Sequence, residues 1–181
     1  MLLLLLQVLS GCLPPTLPRV VKIGLVAPFE GAERERGYDT IYAARLAIRE
    51  INAAGGAGGW QLELIAYDDR ADPEFARTAA QNLATDADVI AVIGHFHPDS
   101  TIAAQAIYNE SELPLLAFDT EGQTYPLPET LPGTSAWIEA YRASGPHTPA
   151  PEVYALPTYE AVMSLAEAII AAAAHGGQPT R

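Results

Sequence analysis

Residues 88–106 read DVIAVIGHFHPDSTIAAQA. The opening run Val89-Ile90-Ala91-Val92-Ile93 is apolar, rich in β-branched residues and too short for a membrane span, which predicts a strand buried on both faces. Gly94 ends the run, and the loop His95-Phe96-His97-Pro98 leads into a helix for which Asp99 is the expected N-cap. Strand, short loop and helix N-terminus in this order form the corner at which open α/β sheets receive ligands. Free N–H groups at such a helix start favour an anion or a polar ligand group.

The same pattern recurs on both sides of this corner. Residues 20–27 form a first strand stopped by Pro28, and 29–36 a polar loop. Residues 37–54 read as a helix with Ile41, Ala44, Ile48 and Ile51 on one face. The glycine-rich 55–59 ends it. Residues 60–67 alternate partly, as expected of a strand near a sheet edge, and run into Asp68-Asp69. Asp72-Pro73 opens the next helix, with Ala76, Ala79, Ala80 and Leu83 as its buried stripe. Residues 113–118 make a fourth strand with a tolerable proline near its start. Successive βα units with short connections imply a parallel sheet with right-handed crossovers. From Asp119 the pattern stops: 122–133 carries Pro126, Pro128 and Pro132 without period. A short helix is expected over 135–143, and a long one over 158–174.

Composition narrows the function. The chain has 181 residues, enough for one domain with a sizeable core. Its net charge of −12, with only ten Lys and Arg, offers no electrostatic footprint for nucleic acid. Residues 1–9 are apolar but too short to span a bilayer. They end in Leu9-Ser10-Gly11-Cys12, with Cys12 the sole cysteine. Residues 1–12 are similar to a lipoprotein signal whose cysteine is lipidated, although no Lys or Arg precedes the apolar run. The proline-rich 13–19 then forms a stiff tether. This places the protein outside the cytoplasmic membrane, anchored through Cys12.

Several short stretches together carry a resemblance. Lys22-Ile23-Gly24, Ala43-Ala44-Arg45-Leu46-Ala47 and Ile51-Asn52-Ala53-Ala54-Gly55-Gly56 are followed by Tyr67-Asp68-Asp69 with Asp72-Pro73. Ala91-Val92-Ile93-Gly94 and Leu113-Pro114-Leu115-Leu116 continue in order. Trp137-Ile138-Glu139-Ala140-Tyr141-Arg142, Tyr154 and Thr158-Tyr159-Glu160-Ala161-Val162 close the series. In order and spacing the chain resembles the branched-chain amino-acid-binding proteins of ABC importers. The resemblance implies a type I periplasmic binding fold: a three-layer α/β/α sandwich on a parallel sheet of order 2-1-3-4. It also implies a small-molecule ligand (an amino acid or similar polar solute), a separate permease and ATPase, and no enzymatic activity or cofactor. Family members clamp ligand between two lobes, whereas this sequence passes from the fourth strand straight to the family's late segment. One lobe is therefore expected: the α/β body at 20–121, a proline-rich connection at 122–151, and a helix within 152–175 packing on the same body.

Positions carried over from the family place ligand at the C-terminal strand ends. The family's carboxylate-docking serine corresponds to Pro98, beside His97. Its ammonium-binding positions correspond to Asp119 and Glu121, with Thr120 between them, and its covering aromatic corresponds to Tyr154. A proline and two carboxylates in these places predict that leucine-like amino acids are not held tightly, at about 1–3 kcal/mol for each lost partner. A non-transporting remnant, acting as an interaction or sensory domain, is the alternative.

Other constellations have plainer readings. His95-x-His97 with Asp99 has the residue types of a Zn²⁺ site, but His95 is expected to close the strand end and His97 to be a solvated loop residue. Asp68, Asp69 and Asp72 have the types of a Mg²⁺ cluster, but read as a strand-end turn plus a helix cap. A phosphoacceptor receiver domain would need an acidic residue where the third strand ends in Gly94-His95. No G-x-G-x-x-G follows the first strand, and no G-x-S-x-G surrounds Ser100 or Ser111.

Overall fold

The computed structural model describes residues 18–118 and 134–181. Its elements are β1 (Arg19–Ala27), α1 (Arg34–Ala53), β2 (Trp60–Asp68), α2 (Pro73–Thr85), β3 (Val89–Ile93), α3 (Pro98–Glu110), β4 (Leu115–Leu116), α4 (Thr134–Arg142) and α5 (Ala155–Ala174). The strands form one parallel sheet of order β2-β1-β3-β4, the predicted order. All five residues of β3 are buried, as its unbroken apolar run requires. Partly alternating β2 lies at the edge.

Helices cover both faces of the sheet. On one face, Ala44, Ala47, Ile48 and Ile51 of α1 share a core with Val162, Ala166 and Ile169 of α5, against Val21, Ile23 and Leu25 of β1. On the other, Ala79, Ala80 and Leu83 of α2 and Ala104 and Tyr108 of α3 pack on Val26, Val89 and Val92. A smaller cluster of Ala43, Leu46, Tyr141 and Ala155 seats α4 and the start of α5 against α1. Two glycines permit close approaches. A Cβ on Gly37 would stand 2.2 Å from the Pro28 carbonyl oxygen, and one on Gly94, at φ +126°, 2.1 Å from that of Val26.

Four boundaries differ from the expectation. The N-cap of α3 is His97, not Asp99, because Pro98 occupies the first helical position, where its fixed φ suits the helix and its missing N–H has no partner to lose. Asp99 falls instead in the first turn. The fourth strand shrinks to Leu115–Leu116: Pro114 has no N–H to give the ladder, although its carbonyl still accepts from Val92 N at 2.8 Å. Helix α1 starts earlier, at Arg34. Helix α5 also starts earlier, at Ala155, with Pro157 tolerated in its first turn. Asp72 caps α2 as expected, accepting from Glu74 N at 2.8 Å and Phe75 N at 3.3 Å. Residues 1–17 and 119–133 lie outside the described residues, and with them the signal, most of the tether and the first part (122–133) of the proline-rich connection.

Two buried polar assemblies join elements far apart in sequence. Asp39 of α1 is 1 % exposed. Its carboxylate accepts from the amides of Glu152 (2.7 Å) and Tyr154 (2.8 Å), and the Tyr141 hydroxyl donates to its carbonyl at 3.1 Å. Burial pushes the Asp39 carboxyl above the usual aspartate range, with the amides pulling the other way. The second assembly is Asp69–His95–Tyr108. His95 Nδ1 lies 2.6 Å from Asp69 Oδ2, and Nε2 lies 3.1 Å from the Tyr108 hydroxyl. A carboxylate only accepts, which puts a ring proton on Nδ1, while Nε2 pairs with the Tyr108 hydroxyl. Burial, reinforced by the Asp69 charge, pushes the Tyr108 hydroxyl well above its usual value and keeps it a donor.

Each assembly gives an expected stability change, measurable by urea denaturation. Asp39→Ala strands two amide donors and should cost about 3 kcal/mol, with faster proteolysis between α4 and α5. Tyr108→Phe keeps the ring packing and leaves a buried imidazole nitrogen unpaired, for a loss of about 1–2 kcal/mol.

Candidate functional site

The C-terminal ends of the strands meet three helix starts or loops. After β3, Gly94 turns the chain so that His95 enters the core and Phe96 is buried beside it. Phe96 stacks on Phe118, the rings 5.4 Å apart and 5° from parallel, and meets Tyr154 edge-on, also at 5.4 Å. Both Phe118 and Tyr154 remain half-buried, so the aromatic set has a buried base and a partly accessible rim. Arg36, from the first turn of α1, donates through Nη1 to the Phe96 carbonyl at 3.1 Å and holds its guanidinium 5.8 Å from the Tyr154 ring centre. Its Nε pairs with Glu33 at 2.9 Å.

Of the residues expected at the ligand, His97, Pro98 and Tyr154 are brought to this corner. His97 is the N-cap of α3 and Pro98 the first residue of that helix. Tyr154 is the N-cap of α5, placed by its amide's bond to Asp39. Asp119, Thr120, Glu121 and Cys12 lie outside the described residues.

The helix start has lost part of its donor set. Pro98 contributes no N–H. His97 is half-buried rather than solvated, and its Nδ1 has no partner among the described residues. Ser100, fully buried in the first turn, has a hydroxyl without a partner among those residues. Thr101 is satisfied by the His97 carbonyl at 3.1 Å. His95 is committed to Asp69 and Tyr108, so it turns away from any ligand at the strand ends.

The aspartates after β2 are likewise occupied with structure. Asp68 Oδ1 accepts from Phe29 N at 2.8 Å and Arg70 N at 3.0 Å, and Asp69 Oδ1 from Ala71 N at 3.0 Å. Among the described residues no group of three or more His, Cys, Asp or Glu is placed to hold a metal ion.

The sequence reading missed Arg36, Phe96 and Phe118. Arg36 carried one signal: it is a scarce cation immediately before Gly37, at the end of the first strand's loop. The two phenylalanines carried none, because their rings meet only when β3 and β4 are paired.

Two cavities lie away from this corner. One, of about 450 Å³, is formed between α1 and the segment 147–152. The other, of about 540 Å³, lies at the opposite end of the sheet beside Trp60 and Asp88. Arg181 reaches it but spends its guanidinium on the carbonyls of Leu83, Ala84, Asp86 and Val89.

Comparison with known proteins agrees with this architecture. A protein-family model described as periplasmic binding protein matches residues 20–129. An amino acid binding protein of Pseudomonas aeruginosa is 37 % identical over 106 residues, covering 59 % of this chain and 28 % of the relative. The leucine-, isoleucine-, valine-, threonine- and alanine-binding protein of the same organism is 39 % identical over 90 residues, 50 % of this chain and 24 % of its own length. Among solved structures, the branched-chain amino acid transporter substrate binding protein LivJ of Streptococcus pneumoniae, in complex with isoleucine, superposes with a TM-score of 0.54. It is 32 % identical, over 57 % of this chain and 30 % of that one. The chain thus spans less than a third of the length of the relatives it matches. A matching family model over more than half the chain settles its kinship: the chain belongs to the periplasmic binding protein family.

Proposed function

We propose that this chain is a solute-binding lobe of the branched-chain amino-acid type, serving an ABC permease and ATPase outside the cytoplasmic membrane and anchored there through lipidated Cys12. The observation that carries the reading is the corner at the strand ends. There the first turn of α3, the half-buried rings of Phe118 and Tyr154, and the Arg36 guanidinium converge. An α/β sheet presents small polar ligands with this combination of a helix start and an apolar rim. Ligand here would contact His97, Pro98 and Tyr154, with Asp119, Thr120 and Glu121 supplied by the chain that follows Phe118.

The chemistry of the corner shapes the ligand preference. A carboxylate docking at α3 finds no amide at Pro98, which removes one charge-assisted hydrogen bond of about 1.5–3 kcal/mol. Arg36 offers a compensating cation, already shared with Glu33. Neutral branched-chain amino acids are therefore weak ligands for this lobe, and solutes that can engage Arg36 are preferred.

Calorimetric titration of the full chain against a panel of amino acids and small organic acids tests the reading. The expected result is saturable binding of at least one panel member, with leucine weak. Pro98→Ser, which restores an amide and a hydroxyl, should strengthen leucine binding by about tenfold. Micromolar leucine binding by the unaltered chain would overturn the preference, and silence across the whole panel would sink the solute-binding role. For the anchor, cells fed labelled palmitate should label the protein, and Cys12→Ala should abolish the label and release the protein from the membrane fraction.

A further inference from the structure

We propose that the cavity between α1 and the segment 147–152 is a second binding site, distinct from the strand-end corner, and that it takes a small organic cation carrying an amine or quaternary ammonium group. The cavity measures about 450 Å³, within the usual range for small-molecule sites. One wall is a face of α1: Glu35, Tyr38, Asp39 and Tyr42 recur at three- and four-residue spacing and therefore share that face. The facing wall includes His147 and Glu152. Among the described residues, no lysine or arginine lines the space.

Three observations select the ligand class. First, none of the three carboxylates has an ion-pair partner among the described residues. Asp39 in particular is a buried carboxyl whose bonds all come from uncharged donors. A cation in the cavity offsets charge that the fold leaves uncompensated. Second, the tyrosine rings favour an organic cation over a hydrated inorganic one, since Tyr38 is 45 % exposed and Tyr42 half-buried at the cavity wall. An ammonium against an aromatic face is attracted by its quadrupole. Third, the carboxylates are too dispersed to ligate a metal ion together, yet they surround a space large enough for several heavy atoms. The walls are also preformed. Asp39 on α1 bonds the amides of Glu152 and Tyr154, so the side that would attract the cation also holds the facing wall in place.

Tetramethylammonium is the probe, with tert-butanol as a near-isosteric neutral control, followed by tyrosine fluorescence and by calorimetry on the full chain. Saturable binding of tetramethylammonium and none of tert-butanol is expected. The exposed pair Glu35→Gln/Glu152→Gln should weaken it about tenfold, and Tyr38→Ala several-fold. Neutralising remote carboxylates in Glu110→Gln/Glu167→Gln should leave it unchanged. Neither cavity glutamate makes a described side-chain hydrogen bond or ion pair, so circular dichroism should report a native fold, and Tyr38→Ala tests the same wall independently. The proposal is overturned by an absence of saturable binding, by equal binding of the neutral control, or by equal losses in the cavity and remote pairs. The last result would mean attraction to the overall −12 charge alone. Because Pro98 and Arg36 are untouched, binding at the strand-end corner is scored separately.

Discussion

The Asp39 carboxylate decides where the last third of this chain lies. It is buried, has no cationic partner among the described residues, and is satisfied mainly by amides of the segment that leads into α5. Such an arrangement is specific in a way apolar packing is not. A slipped segment could still bury Ala155 and Tyr141, but it would strand a charge and two amides in a dry environment. Fixing Glu152 and Tyr154 fixes the start of α5, so that Val162, Ala166 and Ile169 follow in register onto the sheet. It also delivers the ring of Tyr154, 115 residues along the chain from Asp39, to Phe96.

The sheet imposes the complementary constraint. With β1 inside and β2 at the edge, the loops after β1, β2 and β3 all open at one end. The polar groups there are largely consumed in holding those loops. Asp68 ties the β1 loop to the end of β2, and His95 links Asp69 to Tyr108 across the buried layer. Among the described residues, what remains available at the rim is an incomplete helix start, two aromatic rings and one guanidinium. Architecture and ligand chemistry thus separate: the first rests on groups already satisfied, the second on the few left over.

Local patterns made most of the architecture legible. The apolar run of β3, the Asp72-Pro73 start of α2 and the glycine stop after α1 each depend on neighbours in sequence, and each was readable. The errors also have local causes. Pro98 takes the first helical position and moves the cap back to His97, and Pro114 shortens β4 by withholding an N–H. The assemblies were not readable, because Asp39 with Glu152 and Asp69 with His95 become partners only through the fold. At the corner, the strand–loop–helix pattern located His97 and Pro98, whereas Tyr154 was reached only through the family resemblance. Arg36, which sits among them, was passed over as loop polarity.

The helix start of α3 shows how a fold can be kept while the donors at one of its corners are set residue by residue. A family scaffold supplies the direction of the helix and the rim of the sheet, and both survive here. The donors at that helix start are set one residue at a time. Proline at its first position is well suited to the backbone, since that amide would have no partner within the helix. For a docked carboxylate the same amide is one of the few groups within reach. A residue that is neutral for folding is therefore costly for binding a carboxylate. With His95 locked in its buried network and Asp68 occupied by backbone amides, Arg36 is the side chain that brings positive charge to the aromatic rings of this corner. That side chain is held by the Phe96 carbonyl on one side and Glu33 on the other, which orients its remaining N–H groups while tempering its charge. On the proposed solute-binding role, the balance between those two effects, rather than the sheet beneath them, would set the preference among anions.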